Sequence, residues 1–423
     1  MANVEQLVHL EHLEDEMLNR GVEGCKKTVG DLKEVREKLG CQGNSFMQTK
    51  WDGSPSIVAG WDPKFKRFFV GTKSVFNKGE KKRCFSLKTI REYYGNSELA
   101  TKLMYAFRYF KGLGIEGVIQ GDFLFIKGEL KTKLIHGEQL YTFKPNTVGN
   151  GITYGIPVNS NIGKRAIQAE VGVVFHTKYS GDTLDTMRLV VGSGVNIGKL
   201  RKTSRVWIVD NDTQMPPIGF LPNEEREFDN TVSKIESYCA KCGDFLDWLV
   251  LQGSGTGNPT GEAKYHIAPY IKQYFADEIK PDGIGPNGKP YRKGGAITKD
   301  IDVTVNQLIQ FYGIKMNEII SKLKSPKTIA EKVGLTKISY KALDENRDKF
   351  KSMIHLYKLI QDLKYQIIMK LAPLEKEFRM FVRDAKGDYV VTKHEGMVLH
   401  RDGDLTKFVD RIEFSRNNAI KGK

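Results

Sequence analysis

The sequence predicts an α+β protein: a domain of mostly antiparallel sheets with flanking helices, interrupted by a large, mostly helical insertion. Three observations predict it. From Ser45 to about Tyr179, short apolar runs such as SIVAGW, RFFVGT, GVIQGDFLFI, QLYTF and VGVVFHTKY are split by Gly, Pro, Asn and Asp, the pattern of strands joined by turns. Between about 181 and 375 the apolar spacing shifts to three and four, the period of helices. After 376 strand-like runs return, so the two strand-rich parts are expected to form one fold.

The elements follow in order. Residues 1–44 read as helices, because Val4, Leu7, Val8, Leu10, Leu13 and Met17 keep helical spacing until NRGVEG breaks the run. Residues 45–180 form the first strand-rich part, with a helix near 98–110. The insertion, 181–375, opens with a mixed stretch containing RVWIVD. It continues in a long amphipathic helix over 225–251, where Phe228, Val232, Ile235, Phe245 and Leu249 share a face. Two loop-rich stretches follow, QGSGTGNPTGE and KPDGIGPNGKPYRKGG, and then helices over 303–323 and 345–372. The last part, 376–423, holds a hairpin, EFRMFVR-DAKGD-YVVT, and the strands EGMVLH and TKFVDRIEF.

Bulk properties narrow the function classes. The 423 residues carry a formal net charge of +15, which points to a polyanionic partner such as nucleic acid. The excess is sharpest from Asp62 to Lys88, where nine Lys or Arg face only Asp62 and Glu80 and interleave with Phe65, Phe68, Phe69, Phe76 and Phe85. No apolar run reaches the roughly 18 residues of a membrane span, so no membrane partner is expected. The acidic, amphipathic N-terminus reads as neither a signal nor a transit peptide. Five scattered cysteines make no disulfide framework, and a cytoplasmic setting is expected.

Two motifs are set aside. Cys239 and Cys242 have metal-like spacing, but lack a second pair and fall on the apolar helix face, as core residues do. GIGPNGKP, 283–290, imitates a phosphate loop, but Pro290 stands where a magnesium-binding hydroxyl belongs and no apolar strand precedes it. The eight histidines have no metal-ligand spacing.

The chemistry is concentrated around KWDG, Lys50 to Gly53. Lysine, aspartate and glycine are poor strand residues, yet they sit at the mouth of an apolar run. A lysine among phosphate-binding cations can act as a nucleophile and form a lysyl–nucleotide phosphoramidate with an α-phosphate. Such a site also needs carboxylates for ribose hydroxyls and magnesium, further cations, and an aromatic face. Downstream the chain offers Lys73, Ser74, Asn77 and Lys78 in TKSVFNK, Asp122 in QGDF, Phe143 in YTFKPN, Glu395 in EGMV and Lys407 in LTKFV.

This order of motifs resembles the covalent nucleotidyltransferase superfamily, which includes ATP-dependent RNA and DNA ligases and mRNA-capping guanylyltransferases. The resemblance covers roughly 45–180 and 376–415 and implies a ligase-type nucleotidyltransferase domain. It casts Lys50 as the nucleophile, with Asp52 beside it. It implies nucleotide contacts at Thr49, Gly53, Lys73, Ser74, Asn77, Lys78, Asp122, Phe143 (stacked on the base) and Lys407, and a magnesium carboxylate at Glu395. The chain departs from the family pattern twice: Asp122 replaces the usual glutamate, and the last element has Lys407 without its second lysine. Glu395 lies 273 residues after Asp122, a separation that the helical insertion explains. The opening HLEHLEDE together with KWDG is similar to proteins of large tailed bacteriophages, which implies a viral source and the host cytoplasm.

After the last lysine element, VDRIEFSRNNAIKGK is too short for the OB-fold domain of DNA ligases and capping enzymes. The expected activity is therefore ATP-dependent, magnesium-assisted sealing of 5′-phosphate and 3′-hydroxyl ends, with RNA ahead of DNA. Two alternatives remain: an inactive nucleic-acid-binding or virion-associated protein, and a DNA ligase or other AMP-transferring enzyme. The oligomeric state is left open.

Overall fold

A computed structural model describes residues 11–40, 46–77, 82–146, 152–190, 195–209, 219–255, 259–277, 297, 300–371, 378–384, 386–392, 396–402 and 404–409. The chain begins with β1 (Glu11–His12), a 3-10 turn over Leu13–Asp15, and α1 (Glu16–Leu39). Then come β2 (Phe46–Thr49), β3 (Ser56–Trp61), β4 (Phe68–Gly71), α2 (Leu87–Tyr94) and α3 (Glu98–Phe110). Strands β5 (Val118–Ile126), β6 (Lys131–Ile135), β7 (Glu138–Phe143) and β8 (Thr153–Pro157) lead through α4 (Asn161–Ala166) to β9 (Val171–Ser180). Two more strands follow, β10 (Arg188–Leu189) and β11 (Val206–Val209). The helical stretch holds α5 (Pro222–Leu251), α6 (Ala268–Asp277), α7 (Ile301–Ile320), α8 (Pro326–Glu345) and α9 (Arg347–Leu371). The chain returns through β12 (Arg379–Arg383), β13 (Tyr389–Val391), β14 (Gly396–Arg401) and β15 (Asp404–Val409). It is a mixed helix-and-sheet protein whose strands pair mostly antiparallel.

Three sheets arise. The first runs β1-β15-β14-β2, the second β10-β9-β5-β3-β4 with β11 beside β9, and the third β13-β12-β8-β7-β6. The two strand-rich parts do interleave: β14 lies between β2 and β15, and β12 pairs with β8.

Alternation decides which face of each strand is buried. On the first sheet Met47, Met397, Leu399 and Phe408 join the apolar faces of α1, α5, α6, α7 and α9 in one core. The second sheet packs one face on α2 and α3 through Ile57, Val70, Phe123, Phe175, Leu103 and Phe110. Its other face meets the third sheet, where Leu124, Phe125 and Trp207 pack against Phe143, Tyr154 and Ile156. Among the described helices none is long and apolar enough to cross a membrane.

Several expectations are redrawn. Residues 1–10 and the loop 283–290 lie outside the described residues. The run read as an N-terminal helix is, over 11–15, a strand and a 3-10 turn; α1 bends at Gly21, with φ of +59° and the Val22 N–H donating to Asp247 Oδ1 at 2.9 Å. The mixed stretch after 180 belongs to the second sheet, with β11 parallel to β9, so the helical body starts at Pro222. That body also takes in α1, which packs along α5 and, with α9, shares its core. Helix α8 is additional to the expectation, because its face is mostly exposed and its pattern weak. Cys239 and Cys242 pack towards Cys25 of α1, and burial pushes the Cys242 thiol up to about 12.

Candidate active site between two sheets

The KWDG run is the crossing from the first sheet to the second. Lys50 leaves β2 with its N–H donating to the Gly396 carbonyl at 2.9 Å. The side chains then part company. Trp51 turns inward, 8% exposed, its ring 5.0 Å from Tyr154 and 4.8 Å from Phe378. The Asp52 N–H donates to the Tyr154 hydroxyl at 2.9 Å. Ser54 N–H donates to the Phe123 carbonyl at 2.8 Å, and Phe123 N–H to the Pro55 carbonyl at 3.1 Å, so the turn is stitched onto β5. Gly53 makes this approach possible: a Cβ there would lie 2.4 Å from the Asp122 Cβ.

A cleft of about 270 Å³ opens where the two sheets diverge. One wall is the 48–53 run, a second is Asp122 and His176, and the third is Val398, His400 and Leu405. Asp122 stands between Ser56 and Val174 on β5. Burial pushes its pKa up, but His176, a hydrogen bond from Ser56 and the charge of Lys50 outweigh that and hold the carboxyl below its ordinary value. It is ionised at neutral pH.

His176 stands at a β-bulge and shares the cleft side of Val174. Thr177 pairs with Gln120 and Phe175 with Gly121, so His176 is an extra residue on β9. Its Nε2 comes 3.4 Å from Asp122 Oδ2, and its Nδ1 lies 2.8 Å from the Thr177 hydroxyl. Across the cleft, His400 Nε2 is 3.1 Å from Gln48 Oε1. Burial, helped by the charge of His176, depresses the His400 pKa to about 4, so this imidazole is neutral at pH 7. Two buried donors at the cleft, Gln48 Nε2 and Trp51 Nε1, find no acceptor among the described residues.

The residues expected at the site divide into three groups. Lys50, Asp52, Thr49, Gly53 and Asp122 line the cleft together. Lys407 pairs with Val398 on the same sheet face as Leu405 and flanks it. Lys73, Ser74 and Asn77 sit in and just after a 3-10 turn that follows β4 at the Ser56 end of β3; they do not line the cleft themselves, and Ser74 Oγ is 2.8 Å from Thr72 Oγ1. Lys78 and Glu395 lie outside the described residues.

Phe143 is a core ring. It is 2% exposed and stacked on Tyr154 at 5.3 Å, with Phe125 5.2 Å away, so it sits behind the cleft wall and presents no face to a base there. Gln48, Trp51, His176 and His400 are the residues that sequence reasoning missed. A histidine closing the apolar run VGVVF was a usable signal, since a charged or polar side chain at a strand end faces a cavity or solvent.

Among the described residues no group of three or more His, Cys, Asp and Glu could hold a metal ion. Asp52 and Asp122 nonetheless offer the hard oxygen donors that magnesium prefers. No curated protein and no solved structure matches the chain. A model for a family of unknown function, DUF6267, matches residues 7–423, and the chain belongs to that family.

Proposed function

We propose that the protein is a covalent nucleotidyltransferase, acting as an ATP-dependent ligase that joins 5′-phosphate and 3′-hydroxyl ends of polynucleotides, RNA ahead of DNA. The observation that carries the reading is that Lys50 and Asp52 of one run and Asp122, 70 positions after Asp52, line one cleft between two sheets. The hollow is close to the lower end, about 300 Å³, of small-molecule sites.

In the first step the neutral Lys50 amine attacks the α-phosphorus, the bond to pyrophosphate breaks, and the amine proton leaves to a base. Asp122, ionised and tied to His176, is positioned as an acceptor for a ribose hydroxyl. Lys407 flanks the cleft with positive charge for the departing phosphates. Magnesium, which the reading implies, would be held by Asp52 or Asp122 with Glu395, and when bound supplies charge neutralisation at the α-phosphate. The nucleotide then passes to a 5′-phosphate as the P–N bond breaks, and the 3′-hydroxyl displaces AMP.

A second reading, a nucleic-acid-binding protein without turnover, is favoured by the burial of Phe143 and the engagement of Asp122 by His176. Incubation with magnesium and α-labelled ATP or GTP separates the two. Wild-type protein is expected to carry a label that survives denaturation, and Lys50→Ala none. An unlabelled wild type, folded and free of pre-bound nucleotide, would favour the second reading.

A further inference from the structure

The basic, aromatic stretch after the cleft separates in the fold into two parts. Phe68, Phe69 and Phe76 are buried. Phe65, 46% exposed, and the half-buried Phe85 instead form a small surface platform, while Trp61, 40% exposed, packs on Phe68 on the other face of the sheet. The Phe65 and Phe85 rings lie edge to face at 5.8 Å. Arg83 sits over both, 5.0 and 5.9 Å from their centroids, and Arg67 lies 4.9 Å from Phe85.

The loop that presents Phe65 is built rather than loose. The Asp62 side chain is buried, and its Oδ1 accepts from the Lys64 and Phe65 N–H groups at 2.9 and 3.0 Å. Its Oδ2 accepts from Arg83 at 2.9 Å, so the Arg83 charge is spent within the protein and this guanidinium serves to fix the rings. Lys64, Lys66 and Arg67 remain exposed around them. A hollow of about 370 Å³ opens alongside, bordered by Trp61, Lys66 and Lys178.

We infer that this platform at the β3–β4 turn binds single-stranded nucleic acid, with a base stacked on the Phe65–Phe85 pair and phosphates on Lys64, Lys66 and Arg67. Charge alone would fit any polyanion. Flat aromatic faces held among cations select one with exposed bases, which a duplex hides and a membrane or acidic protein lacks. The platform lies at the far end of β3 from Ser56, about 17 Å along the strand, a span of roughly five nucleotides at duplex spacing. The inference deepens the ligase reading by locating the strand that the cleft would act on, but binding here does not require Lys50 chemistry.

Fluorescence anisotropy of labelled 12-mers, oligo-rU and oligo-dT beside a duplex of the same length, tests it. Phe65→Ala and Phe85→Ala are each expected to weaken single-strand binding about tenfold, while Phe65→Tyr retains it. Replacing Lys64, Lys66 and Arg67 with Gln should lower the salt dependence of log affinity by about 2, at roughly 0.7 for each phosphate no longer neutralised. Lys50→Ala is expected to bind as wild type does, and Phe65→Ala to keep the nucleotide label, so the two readings can fail separately. Unchanged binding in both aromatic variants, or a duplex bound as tightly as a single strand, would overturn the inference.

Discussion

At Gly53 the backbone passes so close to β5 that any side chain would collide with Asp122 and with the Phe123 carbonyl, 2.9 Å from where a Cβ would stand. The glycine of the KWDG run is thus a contact requirement between two sheets, which a single strand's sequence does not reveal. His400 illustrates the opposite case, a residue whose character comes wholly from its surroundings. An unfolded imidazole takes up a proton below about 6.5, whereas this one stays neutral until about 4. Stability therefore falls as pH drops through that window, and the gap corresponds to roughly 3 kcal/mol. Urea unfolding of wild type and His400→Gln at pH 7, 5.5 and 4 checks this: the wild type should lose stability more steeply, and parallel profiles would contradict it. Asp122 acts in a lower window. Its folded pKa is below 3.8, so its contribution is present above that value and lost beneath it.

At the scale of elements, the 3-10 turn before α1 shows how a charged stretch can be core. Glu14, Asp15 and Glu16 are all buried. Glu14 meets Lys364 of α9 at 2.6 Å, with both side chains inaccessible, and Tyr357 donates to Asp15 at 3.0 Å. In sequence these acids look like a solvated helix face, because Lys364 and Tyr357, which meet Glu14 and Asp15, stand 350 and 342 positions away. Lys364→Met should cost about 3–5 kcal/mol by removing the ammonium that faces the buried Glu14 carboxylate, and Glu14→Leu in the same chain should recover most of it. Chemical denaturation of both variants measures the difference; equal losses in single and double variants would argue against a coupled pair. The β9 bulge is a second case. Alternation along VVFHTKY assigns faces correctly as far as His176, which shares the cleft side of Val174, and the extra residue then brings Thr177 to that side as well.

At the scale of the molecule, the first sheet is shared property. Its inner face belongs to the helical core through Met47, Met397, Leu399 and Phe408, while its outer face builds the cleft with Val398 and His400. The helical body and the sheets are therefore expected to unfold together. In a Trp248→Phe variant the remaining tryptophans, 51, 61 and 207, all report on the sheet side, whereas far-UV ellipticity reports mainly on the helices. The two urea transitions should coincide, and separated midpoints would mean that the bodies are independent.

What the sequence determined by itself was local and ordered: strand runs in two blocks, long amphipathic helices between them, a helix at 98–110 found as Glu98–Phe110, and KWDG as a break in strand character at the mouth of an apolar run. Those properties depend on the period of the chain and on residue type, both visible along one strand or one helix. The tertiary structure alone decided that Phe143 is core, that His176, His400 and Gln48 join Lys50, and that the Asp62–Lys88 aromatics divide between interior and surface. Each of those outcomes depends on which distant face a side chain meets, and pairing between strands far apart in the chain sets that geometry.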